Sequence, residues 1–180
     1  KRLSLLGRSQ RLPASLRPIV VRLFANPRRN LAILAAEVAA GLEDPGVAEE
    51  ALLALHASAD PVFRRAAAGA VLRLLKRDLP RLLELAGPNS LPAVADVIRE
   101  MSSLGDKAVE GCQKLARLAS AGEPGADEAL QAAARLEPAS LAAALKGAPV
   151  EVAEALLKTW GELPAEGRRG VALDLVGLLR

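Results

Sequence analysis

Between Asp60 and Arg77 the chain reads DPVFRRAAAGAVLRLLKR, a stretch that admits little but an α-helix. Asp-Pro supplies an oxygen to cap free N–H groups, then a residue whose missing N–H costs nothing at a helix start. Phe63, Ala67, Ala70, Val71 and Leu74 follow at i, i+4, i+7, i+8 and i+11, a single apolar stripe. Most of its members are small, so neighbouring helices can approach closely. The whole chain shares this character: 51% of residues are hydrophobic but only 2% aromatic, so Ala, Leu and Val must build the core. That hydrophobic content excludes a disordered chain. Few runs are β-branched or alternate with period two, and no strands are expected.

Prolines punctuate the 180 residues at intervals suited to helices. Pro13, Pro27, Pro45, Pro61, Pro88, Pro124, Pro138, Pro149 and Pro164 each sit near a plausible helix start. Between them lie amphipathic stretches such as Leu31, Leu34, Ala35, Val38 and Leu42, or Leu91, Val94, Ile98 and Met101. Taken in pairs, the helices repeat loosely every 25 to 36 residues or so, shorter than the roughly 40 of many helical repeats. Asp78–Ala86 and Pro138–Ala148 fit this repeat least well. Several helices carry a second, Ala-rich face (Ala32, Ala36, Ala39 and Ala40; Ala132, Ala133 and Ala134), which lets one helix contact neighbours on two sides.

With its Asp-Pro start, early Arg and small-residue stripe, Asp60–Arg77 resembles the second helix of a HEAT repeat. The resemblance covers about a tenth of the chain, together with its periodicity. It implies an all-α fold: a right-handed α-solenoid of antiparallel helix pairs, with about ten short helices. Residues 26–180 would form the HEAT-like repeat domain, preceded by a basic, partly helical segment over residues 1–25. Some HEAT-like proteins excise alkylated bases or handle bilins, but no active-site motif of either group is matched here.

Charge is distributed unevenly. From Lys1 to Ala36 there are eight basic residues and no acidic one, which leaves the remainder at −5 against an overall +3. A basic arm on an acidic body suits an acidic protein segment, nucleic acid or an anionic membrane surface. Arg17, Arg22, Arg28 and Arg29 are the candidate contact residues there. Arg17 and Arg22 also read more plainly, as the wet face of a helix carrying Leu16, Val20, Leu23 and Phe24. On the second cluster, at about 100° per residue, Arg65, Arg73, Lys76 and Arg77 fall within an arc of about 120°. Phosphate-binding surfaces use such stripes, yet so does any surface helix opposite its apolar face. No interleaved Tyr or Trp provides the stacking platforms that single strands need.

Catalytic chemistry finds no constellation. His56, Ser58 and Asp60 are close in sequence, but nothing signals an oxyanion hole. One His and one Cys exclude a His/Cys zinc site, and Gly122–Gly125 lacks the lysine of a P-loop. Neither metal nor cofactor is expected. Cys112 lies on a stripe with Val109, Ala116 and Ala119, so it should be buried and inert, and Trp160 should end a core stripe. A lone cysteine cannot form an intramolecular disulfide, which favours a reducing compartment. No apolar run reaches the 18 or so residues of a membrane span. No signal peptide is visible, but the chain begins at Lys1 rather than Met, so an upstream segment is expected to have been removed, a signal or an anchor being among the forms it can take. Arg outnumbers Lys 18 to 6 and Asn and Gln are scarce, fitting a thermophile or a G+C-rich genome. A final helix over about residues 165–180, apolar nearly all round near its end, implies central insertion, contact with another copy or a longer natural chain.

These readings converge on a non-catalytic protein–protein interaction scaffold, bacterial and cytoplasmic, whose partner is another protein or an acidic peptide segment. Two alternatives remain: a nucleic-acid-binding protein that uses the same basic residues on phosphates, and the cytoplasmic domain of a membrane-anchored or larger protein.

Overall fold

The computed structural model describes residues 12–42, 44–87, 90–165 and 168. After a 3-10 turn at Ala14–Leu16 come α1 (Arg17–Phe24), α2 (Arg29–Ala39), α3 (Pro45–Ala57), α4 (Pro61–Leu74) and α5 (Leu79–Leu85). Then follow α6 (Leu91–Arg99), α7 (Ala108–Ser120), α8 (Ala126–Leu136), α9 (Pro138–Ala144) and α10 (Val150–Gly161). No strand occurs among the described residues, and the chain is all-α. The expected last helix, and residues 1–11 of the basic arm, lie outside the described residues.

Local chemistry sets the helix starts. Asp44 caps α3 by accepting from the Gly46 N–H at 2.9 Å, and Asp60 caps α4 by accepting from Val62 at 3.0 Å. Asp78 caps α5 through the Arg81 N–H at 3.2 Å. Pro45 and Pro61 are the first helical residues, where proline's fixed φ is already helical.

The end of α4 departs from the sequence pattern. Its stripe predicts helix through Arg77, but the helix stops at Leu74 and Leu75 closes the last turn on the Val71 carbonyl. Lys76 and Arg77 then adopt φ of 52° and 60°. For a residue with a Cβ, that left-handed backbone costs about 1–2 kcal/mol. Both side chains therefore leave the arc that ideal helical geometry assigns them.

Two compact units make up the chain, Lys1–Lys76 and Arg77–Arg180. In the first, α1 packs on α2 and α3, while α4 packs on α2 and α3. On the Ala-rich second face of α2, Ala32, Ala36 and Ala39 are buried and Ala40, just past the helix, is half-buried, which lets the helix touch two neighbours. In the second unit α6 packs on α8, and α7 lies against α5, α8, α9 and α10. Ala132, Ala133 and Ala134 of α8 are buried together, allowing contact with α6 and α7 and with the two later helices. One glycine is required here. Gly125 precedes α8 at φ 84°, and a Cβ on it would lie 2.5 Å from the Pro92 Cα at the start of α6.

Half-buried polar side chains tie the second unit together. Glu137 accepts from the Leu104 N–H at 3.0 Å and from the Ser140 hydroxyl, while the Gln113 amide donates to the Ala144 carbonyl at 2.9 Å. Cys112 is buried in α7 as the sequence suggests. Burial, helped by the negative charge of Glu137, pushes its thiol up to about 12, so it is not a nucleophile near neutrality.

Candidate partner-binding groove

Helix α3 has more apolar residues than one face can hold. Val47, Ala48, Ala51, Leu52 and Leu55 fill the side turned into the core. Leu53, Ala54 and Ala57 remain outside that stripe, and with Glu50 they fall at i, i+3, i+4 and i+7. This second stripe forms one wall of a groove of about 370 Å³, whose other wall is Val21, Phe24 and Ala25 of the α1 end, with Asn26 and Ser58 closing it. Phe24 is buried and meets Phe63 of α4 edge-to-face, with ring centroids 6.5 Å apart, which fixes the floor. Leu53 stays 41% exposed.

The helix starts align the groove. Arg17, the first residue of α1, pairs with the α3 cap Asp44 at 3.3 Å, so these two starts lie together. The groove is lined by the later residues of the same helices, so α1 and α3 run in the same direction. Arg29, the first residue of α2, similarly grips the α4 cap Asp60 through Nε and Nη2, the latter at 3.0 Å. That hydrogen bond holds the Asp60 carboxyl below its usual range and raises Arg29.

The sequence places the candidate basic residues in two groups, and the structure gives their members different surroundings. Arg17 and Arg29 are each paired with a capping carboxylate. Arg22 and Arg28 are exposed beside the turn between α1 and α2. Arg65 is exposed one turn into α4 and Arg73 stands in its last turn, with Lys76 just beyond it. Arg77 opens the second unit and donates to the Ser102 hydroxyl at 2.8 Å. Along α4 a rise of about 1.5 Å per residue separates the Asp60 end from the Lys76 end by more than 20 Å or so. Arg28 and Arg29 belong to the first end; Arg73 and Lys76 belong to the second.

The groove residues were not singled out by sequence reasoning. Their signal was present in the surplus of apolar residues on α3, but the opposite wall depends on α1 lying alongside.

The second unit has its own cleft, of about 300 Å³, between α6 and α8. Ile98, Ala132 and Leu136 give it apolar surface, while Arg99, Glu128, Gln131 and Arg135 make it polar. Arg99 is paired with Asp96 at 2.7 Å, and Gln131 donates to Glu162 at 2.6 Å. Among the described residues there is no group of carboxylates, His and Cys able to hold a metal, and no helix long and apolar enough to cross a membrane. His56 is exposed in the last turn of α3. Trp160 is half-buried, and its indole N–H has no partner among the described residues. Compared with family models, curated proteins and solved structures, the chain matches none.

Proposed function

We propose that the chain is a non-catalytic interaction scaffold, a HEAT-like right-handed α-solenoid of antiparallel helix pairs that binds another protein. The apolar groove between α1 and α3 carries this reading. An accessible leucine beside a fixed aromatic floor suits side-chain docking, and helix grooves commonly take peptide segments. The pairing order supports the repeat: α1 with α2 and α3 with α4 form pairs, while α1 on α3 and α2 on α4 stack them. Within the second unit α5 on α7, α6 on α8, α7 on α9 and α8 on α10 show a similar alternation, alongside contact of α7 with α10.

The polar ties have the same period. Arg17–Asp44 spans 27 residues and Arg29–Asp60 spans 31. Lys114–Glu84 spans 30, Gln113–Ala144 and Gln131–Glu162 span 31, and Leu104–Glu137 spans 33. Stacked pairs place residues one repeat apart in contact, which yields this recurrence. The reducing environment favoured by a lone thiol goes with a cytoplasmic site of action.

Neutralisation of Arg17 and Arg29, and separation of the other cations, weigh against a phosphate-binding stripe. The test is site-specific photocrosslinking in a nuclease-treated lysate, with the crosslinker at position 53 or at position 73. A discrete protein adduct from position 53, absent in a Val21→Arg background, is the expected result. Adducts seen only from position 73, and only without nuclease, would replace the protein partner with nucleic acid.

A further inference from the structure

We propose that the α1/α3 groove receives an amphipathic segment of a partner protein that sets an apolar side chain on Leu53 and a lysine or arginine against Glu50. This deepens the scaffold reading and rests on it. Six of the nine lining residues are apolar (Val21, Phe24, Ala25, Leu53, Ala54 and Ala57), so the main contact must be hydrophobic. Glu50 is the one ionisable side chain in the wall. It is half-buried and has no ion-pair partner among the described residues. A carboxylate between apolar walls interacts more strongly with a cation than one in open water.

Fixed charge elsewhere in the groove favours the same occupant. The lining runs to the C-terminal ends of both α1 and α3, where backbone carbonyls carry partial negative charge. The nearby cations are otherwise placed. Arg64 donates to the Ser58 carbonyl at 2.8 Å, at the far end of α3 from Glu50. Arg22 and Arg28 are exposed and do not line the groove. From Glu50 to Ala57 the stripe is two helical turns, about 11 Å. A partner helix can therefore present an apolar residue and a basic one on a single face at i and i+3 or i+4. A nucleic-acid strand offers Glu50 only negative charge.

The test pans a phage-displayed library of helical peptides, about 16 residues long, on the full chain. The recovered peptides are then measured by fluorescence anisotropy. The expected binders carry Lys or Arg at a fixed spacing from Leu, Phe or Ile. Affinity should fall about ten-fold or more with Glu50→Lys, and changing the peptide's basic residue to Glu should restore it on that variant. Leu53→Arg should abolish binding, with circular dichroism unchanged. Acidic or uncharged binders that Leu53→Arg removes would overturn the charge assignment and leave the scaffold reading standing. Binders indifferent to Leu53→Arg would overturn the groove. Recovery of no binder at all would overturn both.

Discussion

The grooves of the two units are cut from the same pattern and finished differently. In each, residues at helical spacing on one helix face a neighbour two elements earlier: Glu50, Leu53, Ala54 and Ala57 face α1, while Glu128, Gln131, Ala132, Arg135 and Leu136 face α6. The first is apolar with one carboxylate. The second is polar, and Arg99 and Gln131 are held by intramolecular partners. The units also differ in how they are fastened. The first relies on capping aspartates shared with arginines at its surface, and the second adds half-buried clips at Glu137 and Gln113 and a close approach at Gly125. Helix stacking alone thus does not decide whether a groove is vacant for a partner. The residue placed at each i+3 and i+4 step does.

That contrast can be broken at its strongest point first. Gly125→Ala meets both a left-handed backbone and the Pro92 backbone, and should cost about 3 kcal/mol or more. Segment-resolved amide exchange should show the loss at the α6 and α8 contact. Next, Glu137→Ala leaves the Leu104 N–H without its acceptor and removes the partner of the Ser140 hydroxyl. Urea unfolding should report about 2 kcal/mol. In the first unit Asp44→Ala removes a helix cap and an ion pair together, with an expected cost of about 1 kcal/mol.

Smaller effects sharpen the picture. Leu53→Arg should shift stability by no more than about 0.5 kcal/mol, because the side chain is accessible and groove-facing. A large loss would mean that Leu53 supports the core. Asp60 should titrate below the ordinary carboxylate range in NMR, and Arg29→Ala should move its midpoint upward. Because its folded-state pKa is lowered, its contribution to stability is present above the unfolded pKa. That contribution disappears as pH falls through the folded value.

Much of the helical content was legible because its causes are local. Asp44-Pro45 and Asp60-Pro61 contain their own caps, and the α4 stripe runs long enough to show its period. Helices α5 and α9 were the poorest fits to the repeat, and they are only seven residues each. Two turns hold too few apolar positions to declare a period. The reversal at Lys76 and Arg77 was also hidden, since neither residue type favours positive φ and helical extrapolation carries straight through them. The candidate basic residues could be listed from sequence. Their separation required knowing which helix starts lie together. The groove required more again, because Phe24 and Leu53 share it only through the stacking of α1 and α3.

The clasps at Arg17–Asp44 and Arg29–Asp60 have a bearing on how such a chain can change length. Each is written half at one helix start and half at another, 27 and 31 residues later. Both donors stand on α1 and α2 and both acceptors before α3 and α4, so duplicating or deleting α1 and α2 alone leaves a donor or an acceptor without its counterpart. A shorter insertion between the halves parts them and uncouples a helix start from its neighbour. Fastenings of this kind act as a spelling check on growth, intolerant of any change that copies or removes one half without the other.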